Sequence, residues 1–420
     1  MRRRAFVAAM CGSIPVVLAG CGRGGTDSPA SAGTVPSGRV TGTVRVWAQG
    51  TEAELLPELA RGFEEENPGA RVEVTAVPWE SAHDKYQTAI AGGTVPDIGM
   101  MGTTWMPDFA GAFQPVPEGL DTGDIFADVK GPTVVDGATV GVPWYVDVRV
   151  IYYRTDLAAE AGYPRPPETW EDFRELTRAM QTRAGADWGI ALLPRGTDSF
   201  QGALPWIWSA GASLMNGDGT AWTLDTPRMV EALEYYQSFF TDGIADPNMS
   251  TEAGTAESAF VDGRTPVLIA GGYEMSLLRE AGGDDFDSSY GVMTFPRNES
   301  GTSFVGGSDL VVFRDSENSD AAWKLVEYLI RPDVQAEWYE LTGDLPASQS
   351  AWDDSRLSGD PKLEVFRDQL NDVMSPPANT AWTQVGAAGD TQLERIVRGA
   401  DPAEALGELQ SAAESIGTGN

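Results

Sequence analysis

The sequence predicts an α/β protein of two lobes, each a sheet flanked by helices and the two joined by crossover strands. Three observations lead there. At 420 residues the chain is too long for one ordinary core. Its N-terminal part alternates strand-like runs with segments of helical period, the pattern of an α/β layer. From Gly141 to Phe173 it runs through an extended segment, a short helix and a proline cluster before a new helix begins. That stretch is read as the place where the chain leaves one lobe for the other.

Taken in order, Arg2, Arg3 and Arg4 precede an apolar stretch from Ala5 to Val17, too short to span a bilayer and shaped like a secretory leader. Residues 1–20 are assigned to that leader, and Arg3-Arg4-Ala5-Phe6-Val7 leaves open a twin-arginine or an ordinary secretory route. Residues 21–41, rich in Gly, Ser, Thr and Pro, read as a flexible tether. A first strand at Thr43–Trp47 leads to a helix with Thr51 and Glu54 spaced like a capping box, ending at Asn67-Pro68-Gly69. A second strand, Ala70–Val77, precedes a helix expected to be capped by Ser81 and stopped by Gly92-Gly93. A third strand begins at Thr94, and Trp105–Phe113 is a short helix. A largely parallel sheet is expected, with ligand at the strands' carboxyl ends, in the loops at Gln49, Trp79 and Gly102.

In the crossover stretch Val146, Val148 and Val150 alternate with Asp147 and Arg149, so the valines face the core while Tyr145, Asp147 and Arg149 share the other face. An aromatic, an acceptor and a donor on one face suit a hydroxylated ligand. Thr169, with Asp172 three residues on, caps the next helix. Beyond it, Trp188–Leu193 is strand-like, Thr226-Pro227 opens a helix, Pro266–Ala270 is a buried strand, and Tyr290–Pro296 and Phe304–Phe313 are further strands. The glycine pairs at 271–272 and 306–307 allow close backbone approach or hinge motion. Helices at Asp320–Ile330, Pro332–Leu341, Pro361–Met374, Gln392–Arg398 and Pro402–Ile416 complete the chain. The expected division is 42–146 plus 262–312 for the first lobe, and 147–261 plus 313–420 for a helix-rich second.

A net charge of −33 argues against nucleic acid and against adhesion to an anionic bilayer, though ordinary solubility accounts for most of it. The one histidine, His83, reads as a helix-surface residue and leaves no basis for a histidine triad or a histidine-rich metal site. No phosphate-binding loop, dinucleotide fingerprint or CxxC pair is present, so no cofactor and no metal is expected. Only Cys11 and Cys21 occur, which leaves no disulfide once the leader is removed. The chain carries 13 Trp and 11 Tyr. Trp170, Trp323 and Trp338 read as core, while Trp47, Trp79, Trp105, Trp144, Tyr145 and Tyr273 fall on loops at strand ends, where an indole could stack on a sugar ring. Gln49, Glu52, Asp97, Asp147, Arg149 and Asp344 could then take the hydroxyls. For any one aromatic the core remains an equal alternative.

Gly141-Val142-Pro143, Asp147, the Tyr152-Tyr153-Arg154 run with Asp156, and Thr169-Trp170 resemble, in order and spacing, the family 1 bacterial extracellular solute-binding proteins. These maltose-binding-protein-like proteins serve ABC importers of sugars. The Ala259-Phe260…Gly263-Arg264 segment and Gly343-Asp344-Leu345-Pro346 continue the resemblance, and Leu18-Ala19-Gly20-Cys21 is similar to a bacterial lipobox. The resemblance implies a type II periplasmic-binding fold and a monomer anchored outside the membrane only through lipid on Cys21. It implies capture of a carbohydrate, an oligosaccharide by preference, in the interlobe cleft, with delivery to ABC permease subunits on closure. It places ligand contacts at Gln49, Glu52, Tyr145, Asp147, Trp206 or Trp208, Gly272, Tyr273, Gly307, Ser308 and Asp344, to which the loop aromatics Trp47 and Trp105 and the donor Arg149 are added. The chain departs from the family pattern at Tyr273, often Trp, and at Gly102, often a carboxylate. No enzymatic activity is expected. The alternatives are a secreted glycoside hydrolase using two carboxylates, or a binder of a peptide or polyamine.

Overall fold

The computed structural model describes residues 35–419 apart from positions 136 and 253. The leader, Cys21 and most of the tether lie outside the described residues.

Strand β1, Thr41–Gln49, buries Val44, Val46 and Ala48, and helix α1, Gly50–Glu66, turns Leu56, Leu59 and Phe63 inward. Strand β2, Gly69–Val77, runs parallel to β1 in unbroken register from Thr41↔Gly69 to Gln49↔Val77. Helix α2, Trp79–Gly92, stops at Gly93, whose left-handed φ of 62° suits a residue with no Cβ. Strand β3, Ile98–Gly102, lies parallel on the other side of β1, and the short helix α3, Met106–Phe109, follows. After the small hairpin of β4, Val134–Val135, and β5, Ala138–Thr139, come β6, Val142–Val148, and β7, Val150–Arg154.

Helices α4, Thr155–Glu160, α5, Trp170–Arg183, α6, Ser199–Ser209, α7, Pro227–Thr241, and α8, Thr255–Val261, then lead to β8, Val267–Ala270. Helix α9, Glu274–Gly282, precedes β9, Tyr290–Met293, and the long β10, Ser303–Val312. The remainder is α10, Ser319–Leu329, α11, Pro332–Thr342, β11, Leu345–Pro346, α12, Pro361–Gln369, β12, Val373–Met374, α13, Trp382–Val397, and α14, Pro402–Ile416.

The molecule has the two-lobe type II periplasmic-binding fold. One sheet has the order β11-β6-β10-β3-β1-β2 with β12 on β10, and the other is β8-β7-β9. The first is parallel among β1, β2 and β3 and between β10 and β12, while β10 runs antiparallel to both β3 and β6. The expected largely parallel sheet is therefore half right. The division of the chain also differs from expectation. Strands β8 and β9 pair with β7, so 262–302 belong with the second sheet, not the first. Helices α10 and α11 pack on β1 and α1, and β11 pairs with β6, so 313–346 belong with the first. The chain passes between sheets at Arg149 and again between β9 and β10, whereas Val261–Ile269 and Gly307–Val312 each stay within one sheet. Hydrophobicity marks these strands as buried but does not say which partner they pair with.

Caps at Thr169 and Thr226 form as expected, each side chain accepting from a backbone N–H of the first turn. The capping box at Thr51 does not, since α1 starts at Gly50 directly after β1, and Ser81 lies inside α2. Trp188–Leu193 forms no strand; the backbone N–H groups of Trp188 and Ala191 donate to the carbonyls of Arg264 and Val267, beside and within β8. Gln392–Arg398 is the end of the longer α13, and the helix begun at Pro361 stops at Gln369.

Candidate functional site: a cleft at the strand ends

The carboxyl ends of β1, β2 and β3 open onto a cleft closed from the other side by the second sheet's helices. Its middle cavity, about 370 Å³, is lined by Trp79, Thr103, Trp105, Asp147 and Arg149 from the first-sheet side and by Asp198, Gln201, Trp382 and Asp390 from the helical side. A neighbour of about 360 Å³ shares Trp79, Asp147 and Gly307 with it and adds Glu52, Tyr145, Tyr273 and Asp344. A third of about 210 Å³ shares Arg149, Asp198, Gln201 and Phe304 and is otherwise apolar, with Leu193, Pro205 and Tyr236. The three adjoin along one channel-like cleft, sharing these walls.

The crossover strand sets the polar wall. Val146, Val148 and Val150 are buried, which turns Tyr145, Asp147 and Arg149 toward the cleft. Tyr145 Oη donates to Glu52 Oε1 at 2.7 Å and accepts from Ser308 Oγ at 3.0 Å. Arg149 donates to Asp147 Oδ2 and to Tyr273 Oη, each at 2.7 Å. Asp147 Oδ1 is buried with no hydrogen-bond partner among the described residues. Two glycines make room here. A Cβ on Gly271 would come within 1.8 Å of Asp147 Oδ1, and one on Gly307, at φ 131°, within 2.2 Å of the Tyr145 carbonyl oxygen.

Electrostatics follow from crowding carboxylates into low dielectric. Burial, then the nearby Glu52 charge, pushes Asp344 up to about 8. Burial likewise raises Glu52, against the lowering effect of the Tyr145 hydrogen bond. Behind the cleft, burial and then Glu257 bring Glu274 to about 7.

The apolar wall is Trp79 against Trp105, ring centroids 5.5 Å apart at 60°. Gly102 lies beneath Trp105, where a Cβ would come to 3.3 Å of the indole, so the absence of a side chain there leaves space for the ring. His83 backs this wall: its ring is 5.8 Å from that of Trp105, and Nε2 is 2.9 Å from Asp108. It lies on the partly exposed surface of α2, as expected, and pairs there with Asp108.

Of the expected site residues, Glu52, Trp105, Tyr145, Asp147, Arg149, Gly272, Tyr273, Gly307 and Asp344 line the channel. Ser308 is buried and reaches it only through Tyr145. Four others are corrected. Trp206 is fully buried, 4.4 Å from Phe295 between ring centroids, and Trp208 is buried in a stack with Phe304, so neither is a free platform. Gln49 is fully buried and donates to Tyr86 Oη at 3.2 Å. Trp47 packs on Tyr86 with the Lys85 ammonium 4.3 Å over its ring, and neither Trp47 nor Gln49 lines any of the three cavities. Trp144 is likewise core, stacked on Trp338. Trp79, read from the sequence as a loop indole able to stack on a sugar, also lines the channel, while Asp198, Gln201, Phe304, Trp382 and Asp390 were missing from the expected set. The last five sit just before or within α6, on β10 and on α13, far apart in sequence and with no shared local pattern.

No group of acidic, histidine or cysteine side chains among the described residues is arranged to hold a metal ion, and no described helix is long and apolar enough to cross a membrane.

The model of the bacterial extracellular solute-binding protein family matches residues 47–336, more than half of the chain. The sugar-binding protein MalE of Xanthomonas citri superposes with a TM-score of 0.83 at 32% identity, covering 89% of this chain and 97% of that one. The galactooligosaccharide-binding protein of Bacillus subtilis is 23% identical over 99% of this chain and 97% of its own length. The diacetylchitobiose-binding protein DasA of Streptomyces coelicolor is 23% identical over 98% and 97% respectively.

Proposed function

Because the chain belongs to the family of bacterial extracellular solute-binding proteins, we propose that it captures an oligosaccharide in this channel and hands it to an ABC permease as the lobes close. The observation that carries the reading is the pairing of the Trp79–Trp105 wall with Glu52, Asp147, Asp344 and Arg149 across adjoining cavities of one cleft. Indole faces take the C–H side of a pyranose, and the carboxylates and guanidinium take its hydroxyls. Adjoining cavities of about 370 and 360 Å³ favour several rings in a row over a single one. The relatives are named as binding proteins, which favours capture over hydrolysis.

Closure requires only that the closed state bind the sugar better than the open one. The protein acts as a monomer outside the membrane, held by lipid on Cys21 in the lipobox-like Leu18-Ala19-Gly20-Cys21. A thermal-shift screen of maltotriose, a galactooligosaccharide, diacetylchitobiose, a tripeptide and spermidine tests the solute. Stabilisation by a sugar, recovered intact after incubation, is expected. Stabilisation by the peptide or spermidine alone, or shortened sugar products, would overturn the reading.

A further inference from the structure

Asp309 on β10 is 2% exposed, and its Oδ2 has no hydrogen-bond partner among the described residues. It sits beneath the floor of the cleft, where the pairing of β10 with β6 shifts register between Ser308 and Asp309. Met101 of β3 and Pro143 of β6 stand opposite it in the sheet, and Met106 of α3 lies across Gly141 from it. Its hydrogen bond is with the Thr103 hydroxyl. That same hydroxyl donates to the Gly307 carbonyl at 3.0 Å, and both Thr103 and Gly307 line the middle cavity. A carboxyl group enclosed by apolar side chains thus touches the cleft through one hydroxyl.

A threonine hydroxyl has a single hydrogen to give, and it rotates to suit its partners. While Asp309 holds its proton, the carboxylic acid donates to Thr103 and Thr103 donates onward to Gly307, so the chain is satisfied within the protein. Once the proton leaves to solvent, the buried carboxylate claims the Thr103 hydrogen as a charge-assisted bond. The Gly307 lone pair that Thr103 held then opens to the cleft. We infer that Asp309 is a positioning residue of the cleft floor: by turning the Thr103 hydroxyl it decides whether the Gly307 carbonyl is occupied or free to accept from a sugar hydroxyl, so that carbohydrate is held more tightly when Asp309 has lost its proton. The inference rests on the carbohydrate reading above. Charged and titratable groups on the elements packed here are committed elsewhere. On α2, Tyr86 donates to the Trp47 carbonyl, Lys85 lies over the Trp47 ring and His83 meets Asp108 of α3, while on β6 Tyr145 donates to Glu52 and Asp147 accepts from Arg149. Burial raises Asp309 to about 8, opposed by the Thr103 hydrogen bond, which puts the transition within reach of ordinary buffers. By linkage, a sugar that prefers the ionised form releases a proton on binding, and its affinity rises with pH through that value.

The test titrates wild type, Asp309→Asn, Thr103→Val and Thr103→Ser with maltotriose, a galactooligosaccharide and diacetylchitobiose by calorimetry from pH 6 to 9. Each protein is referenced to its own affinity at pH 6, at a temperature where melting curves show it folded. Asp344 titrates in the same range and is common to all four, so the quantity read is the difference from wild type. Asp309→Asn keeps a permanent N–H donor toward Thr103, and its rise in affinity should be about two- to tenfold smaller than that of wild type. Thr103→Val removes the hydroxyl and should lose the same share, whereas Thr103→Ser keeps the hydroxyl and the rise. Repeating the pH 8 titration in buffers of different ionisation heat should show wild type releasing more protons per sugar than Asp309→Asn or Thr103→Val. An indistinguishable rise in wild type and Asp309→Asn overturns the inference. So does a rise that survives in Thr103→Val, since Asp309 would then act through the fold and not through that hydroxyl. The two Thr103 variants decide the matter alone if Asp309→Asn melts too low to titrate. Failure of wild type to bind any of these sugars at any pH removes the carbohydrate reading as well, whereas sugar binding without these differences removes this inference only.

Discussion

Arg149 Nη2 donates to Asp147 Oδ2 at 2.7 Å, two residues back along the chain, and leaves Asp147 Oδ1 buried and unpaired against Gly271. The guanidinium fixes the orientation of a carboxylate that lines the channel. Asp147→Ala should therefore weaken sugar binding about ten- to a hundredfold, the loss of roughly 1.5–3 kcal/mol of charge-assisted hydrogen bonding. Its melting temperature should change little by comparison with Val148→Asp, which buries an unpaired charge in the core and should unfold the protein. Calorimetric titration and melting curves on both variants check this. Unchanged affinity in Asp147→Ala, or unchanged melting in Val148→Asp, would show the strand to face the other way.

Trp105 offers its ring to the channel while Trp79 meets it edge-on. Trp105→Ala should reduce affinity for an oligosaccharide by roughly tenfold, combining lost apolar contact with lost stacking of about 0.5–1.5 kcal/mol. Since the two indoles support one another, Trp79→Ala and the double substitution should lose less than the sum of the single effects. A double-mutant cycle by calorimetry measures the coupling, and strict additivity would mean the two rings act independently.

What the sequence made legible was local. The alternation of Val146, Val148 and Val150 orients the crossover strand without knowledge of its neighbours, and Thr169 and Thr226 cap their own helices. Pairing was not legible, because β8 reads as a buried apolar strand whichever sheet it joins, and it joins β7. The misplaced aromatics have the same origin. A tryptophan on a sequence gives no sign of what covers it. A signal did exist at α6, where Ala203, Leu204, Trp206, Ile207 and Trp208 are apolar on every helical face, the pattern of a helix enclosed on all sides. Asp198 and Asp390 could not have been joined from sequence, being 192 residues apart and linked only by tertiary hydrogen bonds.

Trp206 tests the corrected assignment. It packs among Phe173, Trp170, Tyr235, Phe239 and Phe295 with no exposed surface. Trp206→Ala should cost about 3–5 kcal/mol of stability through lost burial and an unfilled cavity. At temperatures where the variant stays folded its sugar affinity should remain near wild type. Denaturant unfolding with calorimetry separates the two. A large loss of affinity without loss of stability would return Trp206 to the binding site.

The buried carboxylates set a pH dependence of stability with a definite sign. Asp309 on β10 is almost wholly enclosed, and burial raises it from the ordinary carboxylate range to about 8; Asp344 reaches about 8 and Glu274 about 7 for the same leading reason. Each binds its proton more tightly folded than unfolded, so each contributes stability that is fully present below the unfolded pKa near 4. That contribution is lost as pH rises through the folded value. Between pH 6 and 8 ordinary surface carboxylates have already ionised, and the decline there belongs to the buried groups. Stability should fall across that window with a slope approaching 1.4 kcal/mol per pH unit for each group still protonated in the fold, at about the precision of such a constant. Asp309→Asn keeps the side chain's shape without a titrating proton, so it should flatten the profile by one group's share and raise stability at pH 8 relative to wild type. Asp344→Asn should do the same from the cleft side, with weaker sugar binding added, because Asp344 lines the channel and Asp309 does not. Guanidinium unfolding at pH 6, 7 and 8 on the three proteins gives the slopes. A flat wild-type profile, or an unchanged slope in Asp309→Asn, would mean that Asp309 is ionised in the fold and has found a partner other than its own proton.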